Sequence, residues 1–107
     1  FANPRVNLSG QELALARILF NRLQCAQCHD VGSRRAPNRI APDLKLVNKR
    51  LRKEWIVEWL KDPQKLQPGT PMPAFWTDGN SPAPDILGGN SEAQIELMAN
   101  YLISLGQ

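Results

Sequence analysis

CAQCHDVGSRRAPN, Cys25 to Asn38, contains both cysteines and the one histidine of the chain, and those three residues lie within five positions of one another. A disulfide between Cys25 and Cys28 would close a loop too short to stabilise much. Structural zinc takes four ligands, and the rest of the sequence offers no further Cys or His to complete a site with Cys25, Cys28 and His29. An iron–sulfur cluster held by four thiolates fails on the same count. A CxxC dithiol–disulfide oxidoreductase needs its motif beside a βαβ pattern, and no strand-like alternation flanks this one; it stands as the alternative reading. In CxxCH, by contrast, each thiol adds to one vinyl group of a haem while the neighbouring imidazole reaches the iron, so all three residues have a role.

A low-spin electron-transfer haem needs a sixth ligand, and with His29 used no second histidine exists. The two methionines are Met72, in PGTPMPAF, and Met98, in EAQIELMANYL. Met98 falls at helical spacing with Ile95, Leu102 and Leu105 and reads as a core residue. Met72 stands between Pro71 and Pro73, which stop helix and central strand alike and restrict the direction in which a thioether points. Met72 is therefore the candidate metal ligand opposite His29. A thioether opposite an imidazole gives a higher reduction potential than two imidazoles, because sulfur is the weaker and softer donor.

The 107 residues, 42% of them apolar, are enough for one domain with a packed core. We read residues 1–107 as a single domain, with no internal repeat and no low-complexity tract. Ser9 and Glu12 form a capping-box pattern, after which Leu13, Ala16, Leu19, Phe20 and Leu23 recur at helical spacing up to the cysteines. A second helix is predicted over Arg52 to Lys61, stopped by Pro63, with Trp55, Ile56, Trp59 and Leu60 apolar. A third begins at Ser91, with Gln94 as its capping-box partner, and stops at Gly106. Between them Val31 to Leu51 and Pro63 to Asn90 are rich in Pro, Gly, Asn and Asp. Loops of that length in a small domain need a reason, and a large flat apolar cofactor supplies one. No run of about 18 apolar residues exists, so the sequence contains no transmembrane segment. The opening at Phe1, without a signal-peptide pattern, fits a processed protein and an excised domain equally.

Taken together, the helix before CAQCH, APDL, WLKDPQKLQPGTPMP and the terminal YLISLG resemble a class I c-type cytochrome over nearly the whole chain. The resemblance implies an all-α cytochrome c fold, three main helices with long loops wrapped around one covalently bound haem c with its iron. It implies that the first and last helices cross, with Ala16 and Phe20 against Leu97 and Tyr101. It also implies that the Pro42 carbonyl orients His29 as outer partners of metal ligands do, although the family's glycine before that proline is Ala41 here. Trp59 resembles a tryptophan that packs beside the haem and reaches a propionate. The cofactor-binding set is thus Cys25, Cys28, His29, Met72, Pro42 and Trp59. Bundle cytochromes of the c-prime type carry CxxCH near the C-terminus and multihaem proteins repeat it; here it occurs once, near the start.

With both axial positions filled, no substrate can coordinate, so the expectation is a one-electron carrier and not an enzyme. The charge of +3 is unevenly spread: Arg34 to Lys53 holds eight basic residues, Arg39 among them, and the one acid Asp43, whereas from Gln67 onward there are four acids and no Lys or Arg. The basic segment is expected to steer docking onto an acidic surface of a redox partner such as a terminal oxidase, reductase or dehydrogenase. Nucleic acid is not expected, because no aromatic residue interleaves with the basic cluster before Trp55. The tail FWTDGNSPAPDILGGNSEAQIELMANYL resembles c-type domains fused to larger redox chains, so both a free carrier and a fused domain are expected forms. Attachment of c-type haem, by what the family implies, places the protein in the periplasm or otherwise outside the cytoplasm.

Overall fold

In the computed structural model of the chain, which describes residues 1–38 and 40–107, helix α1 (Gly10–Arg22) begins where the Ser9 pattern predicts. Both halves of the capping box form: the Glu12 N–H donates to Ser9 Oγ at 3.1 Å and the Ser9 N–H donates to Glu12 Oε1 at 2.9 Å. These bonds, the backbone one first, hold the Glu12 carboxyl below its usual range. Ala16, Leu19, Phe20 and Leu23 are all buried, so the predicted apolar stripe is the face that packs. Arg39 of the basic segment lies outside the described residues.

Helix α3 (Lys53–Lys61) buries Ile56 and Leu60 and half-buries Val57 and Trp59. Its N-cap, Arg52, supplies no side-chain acceptor. Asn3 does so instead: its Oδ1 accepts from the Lys53 N–H at 3.0 Å, while its Nδ2 donates to the carbonyls of Asn48 and Leu51 at 3.1 and 2.8 Å. An acceptor about fifty residues away thus satisfies a donor that every helix start leaves open.

Helix α5 (Ser91–Leu105) is apolar around much of its circumference and buries eight residues, which makes it the central element. Helices α1 and α3 both pack on it. Phe20 and Tyr101 meet edge to face, ring centres 5.4 Å apart, and Leu97 is buried beside them in the same core. Met98 has no exposed surface, as its helical spacing predicts. Arg22 pairs with Asp85 and Lys53 with Glu96, tying α1 to the segment before α5 and α3 to α5 itself. The C-terminus of α5 lies against the segment that follows Asp43: a Cβ on Gly106 would stand 2.3 Å from the Lys45 carbonyl oxygen, so that approach requires glycine.

The start of α5 differs from the predicted cap. Asn90, not Ser91, caps the helix, its Oδ1 accepting from the Ala93 N–H at 2.9 Å. Gln94 is fully buried and faces the core. Its Oε1 accepts from Trp76 Nε1 at 2.9 Å and Ser81 Oγ at 2.6 Å, and its Nε2 donates to the carbonyls of Ala83 and Ile86 at 2.9 and 2.7 Å. One amide therefore fastens residues 76–86 to α5 with every donor and acceptor used.

The two segments expected to be irregular contain short helices. Asp43 caps a 3-10 turn, Leu44–Leu46, which runs into α2 (Val47–Arg50). Pro63, predicted as a stop, also occupies the first turn of α4 (Pro63–Leu66), where its missing N–H costs nothing. Four-residue helices have no period to read, so only their caps betray them. Among the described residues there are no strands, only the isolated bridges His29 with Ala41 and Val31 with Arg34. No helix among them is long and apolar enough to cross a membrane.

Candidate functional site

Helix α1 ends at a residue that turns the chain sharply. Gln24 takes a left-handed conformation, φ 58°, unusual for a residue with a Cβ. The chain then enters a 3-10 turn, Cys25–Gln27, and the amides of Cys28 and His29 both donate to the Cys25 carbonyl, at 3.4 and 3.1 Å. One tight turn thereby carries both thiols and the imidazole. Both cysteines are free and half-buried. Burial pushes the Cys25 thiol up to about 11. A dithiol oxidoreductase needs the opposite, a thiol whose pKa is lowered so that the thiolate attacks.

His29 is held by its far nitrogen. Nδ1 lies 2.7 Å from the Pro42 carbonyl oxygen. A carbonyl only accepts, so the proton is assigned to Nδ1, and Nε2 keeps its lone pair. Pro42 reaches that position because described residues on either side of it are fixed. The Asn38 N–H donates to the Gln27 carbonyl and the Leu44 N–H to the Asp30 carbonyl, each at 2.9 Å, with the His29–Ala41 bridge between. Two aspartates brace the same turn. Asp30 Oδ1 accepts from the Ala36 N–H at 2.8 Å. Asp43 Oδ1 accepts from the amides of Gly32 at 3.0 Å and Lys45 at 2.9 Å. Those two bonds, that from Gly32 first, hold the Asp43 carboxyl below its usual range.

Met72 is placed by α4. Gln64 of α4 accepts from the Gly69 N–H through Oε1 at 2.9 Å and donates through Nε2 to the Thr70 carbonyl. Gly69, with φ 86°, takes a turn that residues with a Cβ rarely adopt. Thr70 Oγ1 in turn accepts the Met72 N–H at 3.4 Å. The thioether is half-buried, and Trp59 Nε1 donates to its sulfur at 2.9 Å. The structure thus brings Trp59 to Met72 and Pro42 to His29. The sequence reading missed Gln64, Thr70 and Asp30, since a polar residue that braces a turn has no local signature beyond the nearby Gly and Pro.

The profile of the family described as Cytochrome c matches residues 10–106, from the first residue of α1 to the residue after α5. The chain belongs to the cytochrome c family. Comparison with curated proteins and with solved structures gave no match. Members of this family bind a covalently attached haem c with its iron and work in haem-based electron transfer. This cytochrome has the all-α fold that the family implies.

The donor set suits that group. Two free thiols sit on the turn that also carries an imidazole, and the imidazole's far nitrogen, Nδ1, is already committed to a carbonyl. The thioether is the kind of soft, neutral donor that can face an imidazole across an iron. Ile40, two residues before Pro42, is 65% exposed, leaving apolar surface beside the His29–Pro42 contact for a macrocycle to cover.

Proposed function

We propose that this cytochrome carries single electrons on one haem attached through Cys25 and Cys28, with His29 and Met72 as its axial ligands, and that it works outside the cytoplasm. The observation that carries the reading is the 2.7 Å contact between His29 Nδ1 and the Pro42 carbonyl, which leaves Nε2 as the donor and fixes the ring. When bound, the haem supplies a one-electron couple between iron(II) and iron(III).

The chain's own residues do the rest. Pro42 and the turn braced by Asp30 and Asp43 hold the imidazole at one angle whatever the charge on the metal. Gln64, Thr70 and the flanking prolines do the same for the thioether, so little reorganises as an electron arrives or leaves. With His29 and Met72 both holding the iron, no open site would remain for a substrate, and the protein would act as a carrier and not as an enzyme. Residues 1–107 act as a single domain, either free or as the electron-transfer part of a larger redox chain. Its partners are redox proteins of the oxidase, reductase or dehydrogenase kind, and the exposed basic residues Arg34, Lys49 and Arg50 favour acidic surfaces on them.

Alkylation separates this reading from dithiol chemistry. Protein matured in a host that attaches c-type haem is expected to carry the mass of one haem and to take up no iodoacetamide after denaturation under reducing conditions. Two alkylated cysteines and no added mass would return Cys25 and Cys28 to thiol chemistry.

A further inference from the structure

Helix α3 carries two tryptophans four residues apart, Trp55 and Trp59, so both project from one face. Their rings stack, with centres 5.2 Å apart and planes 14° from parallel. The inner ring, Trp59, is half-buried, and its Nε1 lies 2.9 Å from Met72 Sδ. The outer ring, Trp55, is 40% exposed, and its indole N–H has no partner among the described residues. The core side of α3 does not call for this outer ring, since Ile56 and Leu60 already fill it. A continuous series of contacts therefore runs from the Met72 sulfur through two indoles to the surface.

We infer that Trp55 is the surface end of an electron route, from Met72 through Trp59 to Trp55, at which a one-electron acceptor protein takes the electron; this rests on the reading of Met72 as sixth ligand. Electron tunnelling weakens steeply across gaps and less steeply through atoms in contact. Stacked π systems add delocalised orbitals to such a path. An electron leaving by it turns iron(II) into iron(III) and reduces the acceptor by one electron. No proton moves, and no bond forms or breaks. The indoles stay neutral throughout, because they couple the two centres without holding the charge. The ring also suits contact with a protein: it offers a rigid apolar face and one free donor, the combination that makes tryptophan a frequent anchor of interfaces.

The test attaches a ruthenium polypyridyl photo-oxidant to the haem-loaded protein through one introduced cysteine, Arg52→Cys, three residues before Trp55, and times iron oxidation after a flash. The same label on Arg17→Cys, in α1, is the control. Trp55→Leu is expected to slow transfer severalfold from position 52 and to leave it unchanged from position 17. The midpoint potential and the long-wavelength band of methionine-to-iron(III) ligation are expected to stay as in wild type. An unchanged rate from position 52 would overturn the inference. So would equal slowing from both positions, or a shifted potential that accounts for the slowing, because either puts the effect at the iron and not on the route. Trp55→Phe keeps a smaller ring; its rate from position 52 is expected to fall between the other two, and it serves should Trp55→Leu fail to fold. Met72→Ala is measured alongside. If it keeps the wild-type band, the ligand assignment itself fails, and the route with it; if it loses the band, a null result at position 55 bears on Trp55 alone.

Discussion

Asp43 shows how a single carboxylate reaches the iron-ligating histidine of the proposed site without touching it. It binds two backbone amides on either side of the Pro42 segment, and its pKa is lowered because both bonds favour the charged form. A carboxyl lowered on folding stabilises the protein at pH values above its unfolded pKa, about 3.9 for Asp, and that contribution is lost as pH falls through the lower folded value. Asp43→Asn keeps an acceptor and removes the titration. Wild type is therefore expected to unfold at higher urea than Asp43→Asn near neutral pH, and the difference is expected to shrink as pH falls below the carboxylate range. A difference that stays constant with pH would contradict the assigned cause. His29 was legible in the sequence as a candidate ligand, since CxxCH is local. The atoms that hold it were less so: Asp30, Asp43 and the Gln27–Asn38 bond act across a reversal of the chain, and residue types alone do not record which amide a carboxylate will meet.

At the scale of elements, the two ends of the molecule were read with unequal success for one physical reason. The Ser9 capping box and the α1 stripe are interactions within four residues of sequence, and both formed as predicted. The same pattern at Ser91 and Gln94 is a coincidence of spacing. Asn90 caps α5, and Gln94 turns inward to hold residues 76–86, because a fully buried amide with four partners outweighs an exposed cap bond. Removing it would strand the Ala83 and Ile86 carbonyls and the Trp76 indole in the core. Gln94→Ala is expected to cost on the order of 2–4 kcal/mol in guanidinium unfolding, whereas Ser91→Ala should change stability by less than about 0.5 kcal/mol. Equal and small effects would restore the capping-box reading. Helices α2 and α4 escaped prediction because four residues cannot show a 3.6 period, yet α4 supplies the Gln64 that places the Met72 loop.

Across the whole molecule, charge is divided as the sequence indicates, but part of the basic segment is engaged internally. Lys53 pairs with Glu96, Arg35 with Asp30 at 3.5 Å, and the Arg52 guanidinium lies 4.7 Å over the Phe1 ring. Arg34, Lys49 and Arg50 are exposed, and steering would fall chiefly on them. Electron exchange with an acidic redox partner is expected to slow by about tenfold or more between low salt and about 0.5 M salt, as screening removes the long-range attraction. Rates flat with ionic strength, followed by stopped flow, would end the steering idea and leave the haem site untouched. The visible absorption spectrum of the matured protein, oxidised and then reduced, tests the proposed His29 and Met72 site most directly. We predict a weak long-wavelength band before reduction, the mark of a thioether on iron(III), and a sharp c-type α band after it. A colourless protein, or a haem protein that lacks the long-wavelength band, would contradict it.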